Sequence, residues 1–279
     1  MRNSKSIQCA SEEWKFLRNF DLQEIDNEIP CHFSRLRYLD RIDRIIKLVE
    51  RYCEGSRVLE IGSAQANISL LLAERGFSSL AFDLVFEFLT YSRCKYECGD
   101  TGWICGNAMN LPFRDGSFDA VVLSELIEHV AFPRTLVNEA SRVLKNRGVL
   151  IISTPNANCV NNKMVRFSEI EELENLKNKQ FGPAGEDHLF AMSLKEVILL
   201  VPKDLEILES GFLSPIVLCS HSYHFYRRFP LRMVTFLQKI VCGTPILRSK
   251  ICSDLFVCVR RSINTQESNF HRKLRESIA

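Results

Sequence analysis

The sequence contains no CxxC pair, no internal repeat and no low-complexity tract. It also lacks any uninterrupted apolar stretch of about 18 residues, the length that a membrane-spanning helix requires. Its eleven cysteines are scattered and odd in number, and the tightest spacing, Cys94 to Cys98, has no second pair to close a zinc site. The N-terminal stretch MRNSKSIQCASEEWK has no apolar core, so it does not read as a secretory leader. Reduced thiols in a cytoplasmic protein are the resulting expectation. Neither sign of charge dominates. A formal net charge of +2 argues neither for nor against a nucleic-acid partner, and any basic surface must be local. What is present is ordinary for a globular chain: 279 residues, 46% hydrophobic and 25% charged, enough for one large domain or two small ones.

Along the chain, short apolar runs alternate with amphipathic ones. Leu39, Ile42, Ile46 and Val49 fall on one face of a helix predicted over 36–52, which Gly55 ends. Arg57–Ile61 reads as a buried strand stopped by Gly62, and 67–75 as a helix with Asn67 near its N-cap and Gly76 beyond its end. Further strands are predicted at 79–83, 103–105, 118–124 and 149–153. Helices are predicted up to about Tyr96 and from Pro133, whose face is Leu136, Val137, Ala140, Val143 and Leu144. Continuous apolar strands alternating with helices predict an α/β fold with a parallel sheet covered on both faces. After Pro155 the rhythm breaks into a polar, Asn-rich stretch over 156–190, a candidate lid over an acceptor pocket. A helix over 193–200 and strands over 206–218 and 255–261 complete the pattern.

The chemistry concentrates at two strand ends. In Val58-Leu-Glu-Ile-Gly-Ser-Ala-Gln-Ala-Asn67 an acidic residue near a strand end precedes a Gly-led turn and a helix start. Gly62 permits the sharp turn and leaves room for a ligand against the backbone. At the end of the next strand, Asp83 can accept hydrogen bonds from ribose hydroxyls. A dinucleotide site needs G-x-G-x-x-G, because a pyrophosphate packs on the helix N-terminus. Here the second and third glycines are Ala64 and Asn67. A cationic ligand fits better, since Glu60 near the turn would attract it.

These segments resemble the class I S-adenosylmethionine (SAM)-dependent methyltransferases, of the type 11 and ubiquinone-biosynthesis kind. Glu60-Ile-Gly62 and Asp83 are similar to the family's motifs I and II, and Cys105-Gly-Asn-Ala-Met-Asn-Leu-Pro-Phe113 to its G-D-A-x-x-L-P-F loop. Ser117-Phe-Asp-Ala-Val121, Glu128-His129, Arg142-Val-Leu-Lys145 with Gly148, and Ile152-Ser-Thr-Pro-Asn156 follow in the family's order. The match covers about 55–156 and extends weakly through Asp187-His188-Leu189-Phe190 to Gly211-Phe212. Ala64 and Ala66 depart from it, standing where glycine is usual. The resemblance implies a Rossmann-like fold with a mostly parallel seven-stranded sheet. It implies SAM bound by Glu60, Gly62, Ser63, Asp83, Leu84, Asn107, Ala108 and Ser124, with Asn107 reading the adenine amino group. Residues 1–54 would form a helical cap, 55–262 the methyltransferase domain with insertions at about 156–190 and 221–250, and 263–279 a polar tail.

In such enzymes catalysis is mainly positioning of an acceptor in line with the sulfonium methyl. A base is needed only where the acceptor must lose a proton, and His129, then His188, are the candidates. Glu125, Glu128 and His129 form an E-x-x-E-H cluster after the fourth strand. If that stretch is helical they converge, and could ligate a divalent cation such as Mg²⁺ that lowers an acceptor hydroxyl's pKa. The spacing is similar to the metal cluster of ubiquinone-pathway O-methyltransferases. The expected acceptor is a small molecule, glycan or lipid precursor, methylated on oxygen rather than nitrogen or carbon. A nucleic acid is not expected, because no N-P-P-Y-like motif is present. The competing readings are an NAD-dependent oxidoreductase or epimerase, disfavoured by the missing glycines and by the lack of a Tyr-x-x-x-Lys catalytic pair, the spacing of Tyr91 and Lys95 being read as wrong for one, and a non-catalytic SAM-binding subunit. Finally, His221–Lys250 holds six basic and no acidic residues, and Met233, Phe236, Leu237, Ile240 and Val241 share a helical face. A basic amphipathic stretch of this kind reads either as a core-packing helix with a solvated basic face or as a surface for peripheral contact with an anionic membrane or a lipid-linked or phosphorylated acceptor.

Overall fold

The computed structural model of the chain describes residues 32–179, 188–215 and 244–262. In chain order these form α1 (His32–Tyr52), β1 (Arg57–Ile61), α2 (Asn67–Ala73), β2 (Ser78–Asp83), α3 (Phe86–Lys95), β3 (Asp100–Cys105) and β4 (Phe118–Ser124). There follow α4 (Pro133–Arg142), β5 (Leu144–Pro155), α5 (Leu194–Leu200), β6 (Leu205–Pro215), α6 (Pro245–Ile251) and β7 (Cys252–Arg261). The first part of the expected cap, the tail from 263 and the stretch 216–243 lie outside the described residues. Most of the basic amphipathic segment therefore does too.

The seven strands make one sheet in the order β3-β2-β1-β4-β5-β7-β6. β1 to β5 are parallel, and β7 runs antiparallel between β5 and β6. The fold is therefore α/β, a class I methyltransferase sheet as the resemblance implies. Side chains alternate across it. Leu59, Ile61, Val121, Leu123, Leu150 and Ile152 join one core, which includes Leu136, Val137 and Ala140 of α4. Val58, Ala120, Val122, Val149 and Ile151 join the other, with Ile42, Ile45, Ile46 and Val49 of α1 and Ile68 and Leu72 of α2. A strand buried on both faces has no solvated side to mark with polar residues, which is why these strands read as continuous apolar runs.

Chain direction away from β1 reverses between β2–β3 and β4–β5, and in open α/β sheets such a switch opens a crevice at the carboxyl ends of the strands. α1 closes over that edge. Arg37 donates to Asp254 at 3.1 Å, Ser214 N–H donates to Asp40 at 3.1 Å, and Arg44 pairs with Glu209. These contacts tie α1 to β6 and β7, far away in sequence.

β1 and β4 have the bounds expected from the sequence, but others differ. β5 starts at Leu144 rather than Val149, because Leu144 pairs with Phe118 before a register shift resumes the ladder at Ala120–Val149. Val143 and Leu144 consequently leave α4. Arg147 takes φ 63° in the turn where the family supplies a second glycine. The N-cap of α2 is Ala66, with Asn67 already helical. The polar stretch after Pro155 is mostly irregular, with 3₁₀ turns at Phe167–Glu169 and Leu173–Lys179. Among the described residues no helix is long and apolar enough to cross a membrane.

Leu123 is fully buried in the middle of the sheet. Leu123→Ala is expected to destabilise the fold by about 2–5 kcal/mol, the range for emptying a packed leucine site. Urea unfolding should show a lower midpoint with an unchanged slope.

Candidate functional site

A cavity of about 720 Å³ lies at the carboxyl edge of β1, β2 and β4. Its walls include Glu60, Gly62, Ser63, Asp83, Leu84, Asn107, Ala108 and Ser124 at one end and Glu125, His129 and His188 at the other. Sequence reasoning missed the residues that α1 contributes, Arg37, Tyr38 and Arg41. Nothing in that helix's apolar periodicity marked its polar edge as a cavity wall. Of the proposed lid, only His188 borders the cavity among the described residues, beside Pro155 at the end of β5.

The turn after β1 is held by few bonds. The N–H groups of Gly62 and Ser63 both donate to the Phe82 carbonyl, at 2.8 and 3.1 Å. Gly62 sits at φ 69°, and a Cβ there would lie 2.6 Å from Leu126 Cδ1. Ala64 and Ala66 adopt φ 43° and 56°, so the turn keeps its left-handed residues without glycine, at roughly 1 kcal/mol each. Ala66 caps α2 with no side-chain hydrogen bond. Glu60 does so instead. Its Oε2 accepts from the Ser69 N–H at 2.8 Å and the Ser69 hydroxyl at 2.6 Å. Burial holds the Glu60 carboxyl up at about 7 in spite of those donors.

Asp83 is likewise buried, and its carboxylate already works within the protein. Oδ2 accepts from Ala64 N–H at 2.7 Å and Oδ1 from Val85 N–H at 2.8 Å. Burial raises its pKa and the backbone donors oppose the rise. A carboxylate offers about four acceptor sites and the backbone N–H groups of Ala64, Leu84 and Val85 take three at most, so Asp83 can fix the turn and still receive a hydroxyl. Asn107 accepts from Met109 N–H through Oδ1 at 2.9 Å, shaping the loop beyond β3. The Ser63 hydroxyl is buried and has no hydrogen-bond partner among the described residues.

The other end is ionic. Glu125 takes φ 51° directly after β4 and turns its carboxylate to Arg41, 3.2 Å away, and to the Ser153 hydroxyl at 3.1 Å. Burial raises the Glu125 pKa, and Arg41 opposes it. The helical turn expected over 125–129 is replaced by a 3₁₀ turn at Ile127–His129. Glu125 therefore does not join Glu128 and His129. His188 takes its place: Glu128, His129 and His188 each offer a donor atom within 4.8 Å of the others'. The His129 and His188 rings meet edge to face at 4.5 Å. Glu128 is fully buried behind them, its Oε2 accepting from the Thr154 hydroxyl at 2.9 Å and its Oε1 without a hydrogen-bond partner among the described residues.

Tyr91 and Lys95 do have the Tyr-x-x-x-Lys spacing of short-chain oxidoreductases, so spacing alone does not dismiss them. Position does. Neither lines the cavity, and Lys95 donates to Asn67 Oδ1 at 2.7 Å.

The sheet order, with a crevice at the carboxyl ends of its parallel strands, is that of a class I methyltransferase fold. Residues 59–152 match the family described as "Methyltransferase domain", and that segment of the chain belongs to it. Relatives include the bifunctional biotin-biosynthesis protein BioHC of Cellvibrio japonicus, 37% identical over 36% of this chain and 20% of its own. The ubiquinone/menaquinone C-methyltransferase UbiE of a Ruegeria species is 34% identical over 35% and 42%. The demethylmenaquinone methyltransferase of Paenarthrobacter aurescens is 33% identical over 36% and 38%. The chain spans less than half the length of each of these relatives. Among solved structures, the YcgJ protein of Bacillus subtilis superposes with TM-score 0.51 at 18% identity, covering 80% of this chain and 98% of that one. The [4+2]-cyclase SpnF superposes with TM-score 0.52 at 16% identity, covering 80% and 81%. These two likenesses are of fold.

The family implies SAM, and the site fits it. The buried Ser63 hydroxyl is an unused donor facing the cavity, Gly62 leaves the turn bare, and Glu60 and Asp83 suit a cationic nucleoside. Asp83→Ala is expected to weaken SAM binding by about 2–3 kcal/mol, the scale of hydrogen bonds to a charged group, as read by calorimetry. Gly62→Val should weaken it further, since it adds left-handed strain to a collision with Leu126. Unchanged affinity in Asp83→Ala would remove that residue from the site.

Glu60 also makes a pH prediction. Its carboxyl ordinarily titrates near 4.5 and is held at about 7 in the fold. The unfolded chain releases this proton first, so stability falls as pH rises from 4.5 to 7 and levels off above, by up to about 3 kcal/mol. Glu60→Gln cannot ionise, and its ligand-free melting temperature should lose that contribution to the decline. Parallel pH profiles for the two proteins would contradict it.

Proposed function

We propose that the chain is a SAM-dependent methyltransferase that methylates an oxygen of a small-molecule, glycan or lipid-precursor acceptor. One observation carries the reading: the cavity that runs from Glu60, Gly62 and Asp83 ends at the paired imidazoles of His129 and His188. Bound SAM supplies an electrophilic methyl group on sulfur. The chain's own residues then have three tasks. Glu60 and Asp83 fix the donor, Arg41 and Tyr38 close the cavity from α1, and an imidazole takes the proton that a hydroxyl must lose. Positioning accounts for most of the rate in such a scheme.

Removing the acting base should lower kcat by about 10²–10⁴-fold, so His129→Ala and His188→Ala, assayed separately, identify it. The acceptor is found by incubating the protein and methyl-labelled SAM with fractionated cell extract and identifying what becomes labelled. Labelling on carbon would support the chemistry named for the UbiE relative instead. SAM binding with no labelled product in any fraction would favour a non-catalytic subunit, and binding of NAD in place of SAM would end the proposal. The cyclase that shares the fold shows why the test is needed: fold alone does not set the reaction.

A second reading is favoured by Glu128, His129 and His188, whose donor atoms cluster within 4.8 Å, and by the buried Glu128 oxygen that lacks a partner. These three residues would hold a divalent cation, with Mn²⁺ or Zn²⁺ suiting the imidazoles better than Mg²⁺. Such a cation would lower an acceptor hydroxyl's pKa. Thermal melts should then rise with added Mn²⁺ or Zn²⁺ in the natural protein and not in Glu128→Gln. No shift with any of the three ions, together with full activity in excess EDTA, would leave His129 and His188 as acid–base groups.

A further inference from the structure

From Gly211 to Ser253 the sequence has no aspartate or glutamate, while it carries Arg227, Arg228, Arg232, Lys239, Arg248 and Lys250. The described part of this stretch, α6, lies against a second segment free of carboxylates, Asn156–Ser168. Two sets of bonds join them. The Asn156 amide donates to the carbonyls of Ser249 and Cys252, both at 2.8 Å, and Val160 N–H donates to the Lys250 carbonyl at 2.9 Å. Asn156 is fully buried, so this junction is fixed.

The joined surface exposes three aliphatic side chains among basic ones. Val160, Val165 and Leu247 are 69%, 54% and 42% exposed. Lys163, Arg248 and Lys250 are exposed beside them in sequence. The nearest carboxylate along the loop is Glu169, which faces the Arg166 guanidinium at 4.0 Å and accepts from the Arg166 N–H at the start of its own 3₁₀ turn. Pro155, which lines the cavity, immediately precedes Asn156 at the root of this junction.

We propose that this surface docks on an anionic lipid bilayer. Val160, Val165 and Leu247 enter the headgroup region, and Lys163, Arg248 and Lys250 pair with lipid phosphates. Aliphatic and basic side chains interleaved without carboxylates match a bilayer interface, which offers apolar depth and negative charge together. A nucleic acid would satisfy the charges but gain little from valine and leucine; single-strand binders use aromatic faces there. Docking is independent of the methyl-transfer reading, since it requires neither cofactor nor turnover.

The test is flotation of the full chain with vesicles of phosphatidylcholine alone and with about one-third phosphatidylglycerol. Binding is expected on the anionic vesicles and should fade as salt shortens the screening length. Each basic side chain near the surface contributes about fivefold to partitioning, so Arg248→Glu with Lys250→Glu should weaken binding by at least about 25-fold. Val160→Ser with Leu247→Ser should weaken it as well, at unchanged charge. Lys203→Glu, in the turn before β6 at the opposite edge of the sheet, should bind as the natural protein does. All these positions are exposed, and melting curves check that the variants fold. No binding to anionic vesicles, equal binding to both vesicle types, or anionic binding indifferent to the α6 and Val160 changes would each overturn the proposal. So would capture of an oligonucleotide, lost in the α6 variant, by a protein that binds neither vesicle.

Discussion

Parallel strands buried on both faces leave little room for charge. Along β1, β4 and β5 both faces are packed against helices, so an unpaired carboxylate inside the sheet would bear the full cost of its desolvation. Function is thereby confined to the last residue or two of each strand and to the turns beyond. Glu60 is next to last in β1, Asp83 is last in β2, and Ser124 is last in β4. The crevice at the strand-order reversal is where those ends splay apart, so the edge with polar residues is also the one with space.

Holding polar groups there has a conformational cost, and four non-glycine residues of the described chain that take left-handed φ values lie along or near this edge: Ala64, Ala66, Glu125 and Ser214. Each is over-determined by neighbours. Asp83 receives the Ala64 N–H, Glu60 caps the helix that Ala66 begins, and the Glu125 N–H donates to the Ser153 carbonyl at 2.9 Å. Ser214 donates its N–H to Asp40. Strain of this kind persists only where surrounding bonds leave no alternative. The same carboxylates therefore serve twice, as internal struts and as faces of the cavity.

The two ends of the cavity are built by different means. The cofactor end is local, made within one βαβ unit and the loop beyond β3. The acceptor end is assembled from α1, the residues after β4, the end of β5 and His188. Its charges are arranged in pairs, Arg41 with Glu125 and Arg37 with Asp254.

The amino-acid sequence by itself determined the alternation of elements and the bounds of β1 and β4, and it singled out residues from Glu60 to Asn107 that line one cavity. All of these depend on neighbours within a few residues or one βαβ unit. Periodicity and turn chemistry report such neighbours directly. It also singled out His129 and His188, though not that their rings touch. Only the tertiary structure decided that β5 begins at Leu144, through pairing with Phe118 in another strand. Only it brought Arg37, Tyr38 and Arg41 into the cavity and set His188 against His129. It also sent Glu125 to Arg41, because one backbone angle after β4 turned left-handed where a helix had been expected. Spacing along a chain fixes side-chain direction only while the backbone is regular. Past the end of a strand, direction is set by whichever distant partner can satisfy the buried charge.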